Sequence, residues 1–179
     1  MTLEPHILTD KNQLQEIFNL RVEVWENTDR SLFVNRKLFP EGWSDELDKT
    51  GIHCIISDDI GIIIAAARLN CFTSLHDYPY YKSIKHLKLP EQVPFGFYSR
   101  LIVSPKFQGN GLSSKLDKAI IKLSHECGLK WLVGLASDRT QLMIDKLGFI
   151  NFGTADVKYH HLSDLHHINV IVKELNDVK

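Results

Sequence analysis

The chain has 179 residues, the length of one ordinary domain, and its 44% hydrophobic and 24% charged residues supply apolar mass for a full core. Its 21 Lys+Arg against 22 Asp+Glu leave a net charge of −1, which argues against a nucleic-acid partner held by phosphate contacts and against a polybasic membrane-surface protein. Three cysteines without a CxxC (Cys54, Cys71, Cys127), an N-terminus without a signal-peptide pattern and no apolar run longer than the eight residues from Ile60 to Ala67 predict a cytoplasmic protein with no membrane span.

No internal repeat or Pro/Gly/Ser-rich linker interrupts the chain, so residues 1–179 are expected to form a single domain. Leu14, Ile17, Phe18, Val22 and Trp25 recur at helical spacing, with Asp10 placed to cap and Gln13 three residues on as in a capping box. Residues 26–50 are polar and broken by Pro40 and Gly42, which reads as a long loop or short helices. The runs Ile52–Ser57 and Ile60–Leu69 flank Asp58-Asp59 and predict a β-hairpin. The stretch 71–94 carries Pro79, Pro90 and Pro94 and is read as irregular, with one short helix about Tyr80–Leu87. A strand follows over Phe95–Val103, ended by Pro105. The spacing of Leu112, Leu116, Ala119, Ile120, Leu123 and Cys127 predicts a helix from about Asn110 to Cys127, stopped by Gly128, with Cys127 as a buried helix-end thiol. Trp131–Ala136 has the wholly apolar character of a strand in a sheet interior. A second helix is expected over Asp138–Leu147, closed by Gly148, then strands over Phe149–Val157 and Ile168–Leu175. The order predicts a mixed sheet with helices, hence an α/β or α+β fold.

The segment richest in chemistry runs Leu101-Ile-Val-Ser-Pro-Lys-Phe-Gln-Gly-Asn-Gly-Leu-Ser-Ser-Lys115. A strand enters a glycine-bearing turn and passes directly into an amphipathic helix. The first-turn amides of such a helix have no internal partners, and its dipole adds positive charge there. Gly109 and Gly111 carry no side chain to block an approaching group, so a phosphate or pyrophosphate is a natural ligand. A tight turn alone also explains the glycines. The Walker pattern is missing, and Ser114 stands where a dinucleotide fingerprint needs glycine.

Gln108-Gly-Asn-Gly-Leu-Ser113 resembles the Q/R-x-x-G-x-G/A signature of the GNAT superfamily of N-acyltransferases, and Arg100-Leu-Ile-Val-Ser-Pro105 resembles the family's fourth strand. Asp145-Lys-Leu-Gly-Phe149 is similar to the family's helix-to-strand E-K-L-G-F segment, with Trp131–Ala136 between the matches where the fifth strand belongs. More loosely, Leu20-Arg-Val-Glu-Val-Trp25 and Asp45-Glu-Leu-Asp48 with His53 resemble the ElaA-like branch and the acyl-homoserine lactone synthases of the same superfamily. The resemblance implies a GNAT fold: a twisted mixed sheet of six to seven strands, splayed between the fourth and fifth, with helices on both faces. It implies an acyl-CoA co-substrate, most simply acetyl-CoA. Main-chain amides of Gly109, Asn110, Gly111, Leu112 and Ser113 would hold its pyrophosphate with Gln108. The edge at Leu101, Ile102 and Val103 would pair with the pantetheine arm and polarise the thioester carbonyl. A small-molecule or protein amine would attack directly, with no metal.

Two departures stand out. Ser113 replaces the motif's final Gly or Ala, and Ile144 occupies the position of the tyrosine that commonly protonates the departing thiolate. Tyr98 and Ser99, just upstream of the strand edge, are candidates for the base or relay, against packing of an ordinary strand tyrosine. Glu23, Asp45, Asp48 and His53 fit either an amine pocket or a solvated charged loop. Tyr78, Tyr80 and Tyr81 fit a pocket lining or, beside Pro79, a pinned loop. His160, His161, His166 and His167 with Asp164 are read as an exposed polar loop rather than a metal site. Two alternatives to an acetyltransferase remain: a homoserine-lactone-synthase-like enzyme with longer acyl donors, and a non-catalytic acyl-CoA-binding module. The acceptor and oligomeric state are not legible, a homodimer being among the arrangements allowed.

Overall fold

The computed structural model describes residues 3–28, 31–136, 139–158 and 165–175. Its strands are β1 (His6–Ile7), β2 (Ile52–Ser57), β3 (Ile63–Phe72), β4 (Phe95–Val103), β5 (Trp131–Ala136), β6 (Ile150–Lys158) and β7 (Leu165–Glu174). The helices are α1 (Leu14–Glu26), α2 (Tyr81–Ile84), α3 (Leu112–Glu126) and α4 (Thr140–Leu147), joined by short 3-10 turns. The seven strands form one mixed sheet in the order β1-β2-β3-β4-β5-β7-β6. The chain divides into two compact units, Met1–Leu69 with Arg100–Ile121 and Asn70–Ser99 with Lys122–Lys179.

In the first unit, β2 pairs antiparallel with both β1 and β3. The apolar face of α1 meets this sheet, where Ile17 and Leu20 cluster with Ile55, Ile63, Ala66 and Ile102. A second cluster joins Val22 to Val34 and Trp43. Asp10 accepts from the Asn12 amide at 2.9 Å, but Lys11–Gln13 is a separate 3-10 turn and the expected Gln13 capping box does not form. The hairpin turn is longer than expected. The Asp58 carboxylate takes the amides of Ile60 (3.1 Å) and Ile62 (2.8 Å), so Ile60 is exposed in the turn and β3 begins at Ile63.

In the second unit, β4 runs parallel to β5 through Gly96–Leu132, Phe97–Val133 and Tyr98–Gly134, then continues to Val103. The antiparallel pairs β5–β7 and β6–β7 complete it. Its core is aromatic. Phe95 stacks on Trp131 with centroids 4.4 Å apart, and buried Tyr78 lies edge-on to Phe72, Phe95 and Phe97, so Tyr78 pins its loop through packing. Cys127 is exposed rather than buried, and burial first, with the neighbouring Cys127 second, pushes the Cys71 thiol up to about 11. Among the described residues no helix is long and apolar enough to cross a membrane.

Candidate active site

The phosphate-directed geometry arises where β4 ends. Ser104 donates its amide to Ile64 O at 2.8 Å and Pro105 opens a single 3-10 turn, after which Gly109 (φ +81°) and Gly111 (φ +72°) reverse the chain. That left-handed backbone suits glycine, and a Cβ at either position would meet nothing within 4 Å, so the face before the turn is open. The Lys115 amide donates to Gly111 O at 3.1 Å, which closes the first turn of α3. Leu112, Ser113 and Ser114 therefore present the orphan amides of a 15-residue helix, with the positive end of its dipole behind them. Asn110 folds back on the carbonyls of Phe107 and Gln108, and Gln108 reaches Val103 O at 3.3 Å. Gln108 thus ties the turn to the strand end. Lys115 is held by Glu4 and by Leu3 O, each at 2.8 Å.

Along β4, Ile102 points into the core while Leu101 and Val103 are half-buried. Tyr98 is buried opposite Gly134, and Ser99 follows it half-buried on the same strand. Ile144 sits half-buried on α4, whose Thr140 donates its hydroxyl to Ala136 O at 3.2 Å. His160, His161 and Asp164 lie outside the described residues, and His167 contacts Asp156 at 3.0 Å. Among the described residues no group of three or more His, Cys, Asp or Glu is placed to hold a metal.

The first unit also contains a buried charged cluster, so the solvated charged loop weighed for Asp45 and Asp48 is not what the structure shows. Asp45-Glu-Leu-Asp48 forms a capping box. The Leu47 amide donates to Asp45 (3.0 Å) and the Asp45 amide to Asp48 (2.8 Å), which fixes both carboxylates. Arg21, from α1, grips Asp48 with two 2.8 Å bonds and donates to Trp43 O at 3.0 Å. Arg68, from β3, bonds Asp45 and Asp48 at 2.6 Å each, and Gly51 makes room for it, since a Cβ there would stand 2.7 Å from Arg68 Cδ. Arg100 takes a left-handed conformation (φ +58°) within β4, donates to Asp45 through Nε (3.2 Å) and Nη2, and lays its guanidinium 3.8 Å from the Trp43 ring centroid. Glu23 has no side-chain part in this cluster.

Burial alone would raise the Asp48 carboxyl, but Arg21 and Arg68 outweigh it and hold it well below the usual carboxylate range. Asp45 is lowered against its own burial by Arg100 and Arg68. His53, paired with Arg68 across β2–β3 and only 4% exposed, is lowered by burial first and by the Arg21 charge second, so it is neutral. Its Nδ1 has no hydrogen-bond partner among the described residues. The unfolded chain binds protons at His53 and Asp48 more readily than the native one, so unfolding takes up protons in acid. Between the ordinary histidine range and about pH 8 stability is expected to be level, to fall as pH drops below about 6.5, and then to fall further through the carboxylate range. Urea titrations from pH 8 to pH 4 check this, and His53→Gln removes the upper part of the fall.

One segment thus joins a strand end, a glycine turn and an open helix N-terminus. The GNAT acetyltransferase family model matches residues 14–149, and the chain belongs to that family. No curated protein matches the sequence. Among solved structures, the chain is similar to the CoA-dependent acyl-homoserine lactone synthase BjaI with MTA (TM-score 0.71, 12% identity, 97% of this chain and 84% of that one). It is also similar to the AHL synthase LasI (0.65, 16%, 98% and 92%) and to arylalkylamine N-acetyltransferase 2 from Aedes aegypti (0.66, 14%, 97% and 99%).

Proposed function

We propose that the protein transfers an acyl group, most simply acetyl, from acyl-CoA to a primary amine by direct attack. The observation that carries this reading is the open N-terminus of α3, where three orphan amides and two left-handed glycines face free space at the end of β4. In this reading the Gly109–Ser113 amides hold the pyrophosphate, with Gln108 setting the turn. The Leu101–Val103 edge aligns the pantetheine arm, and one of its amides polarises the thioester carbonyl. Such a donor contributes about 3 kcal/mol as the oxyanion develops.

The amine nitrogen attacks the carbonyl carbon, the C–S bond breaks, and the ammonium proton leaves through Tyr98 or Ser99 and water. Ile144 offers no proton, but a thiolate with a pKa of roughly 8.5 departs without an obligatory acid. Calorimetry with coenzyme A and acetyl-CoA, with free-thiol release over an amine panel, tests the proposal. Binding with amine-dependent thiol release is expected, and no binding of either ligand sinks it.

A second reading rests on the buried cluster of Arg21, Asp45 and Asp48, part of which lies in the segments that resemble acyl-homoserine lactone synthases, alongside the fold likeness to BjaI and LasI. It requires longer acyl donors to outcompete acetyl-CoA in the same assay.

A further inference from the structure

Two cysteines that the proposed transfer chemistry leaves unused share one corner of the second unit. Cys71 is the next-to-last residue of β3, and Cys127 directly follows the last residue of α3. Neither is bridged, and both are exposed. The third, Cys54, is buried in β2.

Three short links bring the pair together. β3 and β4 are neighbours in the sheet, and Phe72 at the end of β3 stacks on Phe95 at the start of β4 with ring centroids 5.4 Å apart. The Lys130 amide donates to the carbonyl of Pro94, the residue before Phe95, at 2.8 Å. Between Cys127 and Lys130 the chain turns tightly. Gly128 is left-handed (φ +67°), its amide returns to His125 O at 2.9 Å, and the Leu129 amide returns to Ser124 O at 3.0 Å. The last turn of α3 is thereby tied to the start of β4, beside the end of β3. Side chains alternate along a strand, so with Phe72 turned into the aromatic cluster, Cys71 points to the opposite face. Cys127 is its neighbour there.

The two sulfurs differ in readiness. Burial holds the Cys71 thiol up at about 11, so it is rarely ionised near neutral pH and the first attack on an oxidant falls to Cys127. Where glutathione keeps thiols reduced, such a pair stands open until an oxidant reaches it.

We propose that Cys71 and Cys127 form a reversible oxidation site, a dithiol that a hydroperoxide converts into a disulfide clasp between the ends of β3 and α3. The Cys127 sulfur attacks the peroxide, the O–O bond breaks, and a sulfenic acid forms as water or an alcohol leaves. The Cys71 sulfur then attacks the sulfenic sulfur, the S–S bond forms and the S–O bond breaks, releasing water. Both thiol protons depart with the two oxygens, and the two electrons given up by the sulfurs reduce the peroxide. A dithiol reductant reverses the step by exchange. The clasp closes the long loop from residue 71 to residue 127, so the oxidised chain resists unfolding more than the reduced one.

The test treats the full chain with hydrogen peroxide and reads intact mass, free-thiol count, peptide map and melting curve, none of which depends on coenzyme A. The wild type is expected to lose about 2 Da and two thiols, with Cys71 and Cys127 in one cross-linked peptide pair. It is expected to melt about 5–10 °C higher and to return to the starting curve with dithiothreitol. Cys71→Ser and Cys127→Ser are expected to melt within about 2 °C of the reduced wild type and to show neither bridge nor rise. Phenylarsine oxide, which spans two adjacent thiols, is expected to bind the reduced wild type one to one and Cys71→Ser about 100-fold more weakly. The peptide map of the wild type decides the matter even if a serine variant fails to fold. Oxygen added to separate sulfurs without the loss of mass, a bridge between two chains, a bridge through Cys54, or an arsenical affinity indifferent to Cys71→Ser overturns the site.

Discussion

Gly111→Asp is expected to weaken coenzyme A binding by about 100-fold or more, nearly 3 kcal/mol, while the protein stays folded. Gly111 is the residue whose carbonyl receives the Lys115 amide, which makes it the N-cap of α3. An aspartate there is a good N-cap acceptor, and its carboxylate can take the Ser113 or Ser114 amide for itself. It also sets a negative charge in the open space before the turn. The cost is the left-handed φ of +72°, which aspartate bears better than most residues. The site is thus occupied from within rather than dismantled. Gly111→Ala, which brings the strain without the carboxylate, is expected to lose far less affinity. Calorimetry with coenzyme A on both variants, beside their melting curves, makes the comparison, and equal losses would show that backbone shape rather than charge governs the site.

Asp48→Ala is expected to cost about 3–5 kcal/mol of stability and to lower the melting temperature by about 10 °C or more. Asp48 is 6% exposed and receives the paired donors of Arg21 and one from Arg68. Its removal leaves Arg21 buried without its carboxylate partner, leaves Arg68 with Asp45 as its remaining carboxylate, and opens the capping box that holds Asp45. The exposed pair Lys49–Glu46 supplies the contrast, since both side chains stand largely in water and Lys49→Ala should change stability by less than about 0.5 kcal/mol. Thermal and denaturant unfolding of the two variants read the difference. Similar small losses in both would mean the buried cluster is held mainly by its surroundings.

The elements that carry the proposed phosphate site were legible because their signals are local. β4 and β5 match their expected bounds, since an apolar run closed by Pro105 and another between Gly128 and Ser137 leave little choice. The turn before α3 was legible from Gly-Asn-Gly followed by a helical repeat, although the helix begins two residues later than the spacing suggested because Gly111 is left-handed. The charged cluster was not legible. Its partners are 20 to 55 residues apart in the chain, and no periodicity links them. A sign was nevertheless present: Arg68 interrupts an otherwise apolar strand, and Arg21 sits between Leu20 and Val22 on the inward side of α1. A charge placed in an apolar stripe asks for a buried opposite charge, and Asp45-Glu-Leu-Asp48 was the local motif able to supply two. The hairpin boundary was misjudged for a smaller reason, because an aspartate side chain can extend a turn that composition marks as only two residues long.

The left-handed backbone of Arg100 has a consequence for how this position can change. Its main chain suits glycine or asparagine, whereas its side chain serves as a fork on Asp45 that also lies over Trp43. No residue type satisfies both demands, so selection for thermal robustness alone would drift residue 100 toward small, flexible types and shed the guanidinium. A chain that keeps arginine there bears a standing conformational cost within β4, offset by its bonds to Asp45 and its contact with the Trp43 ring.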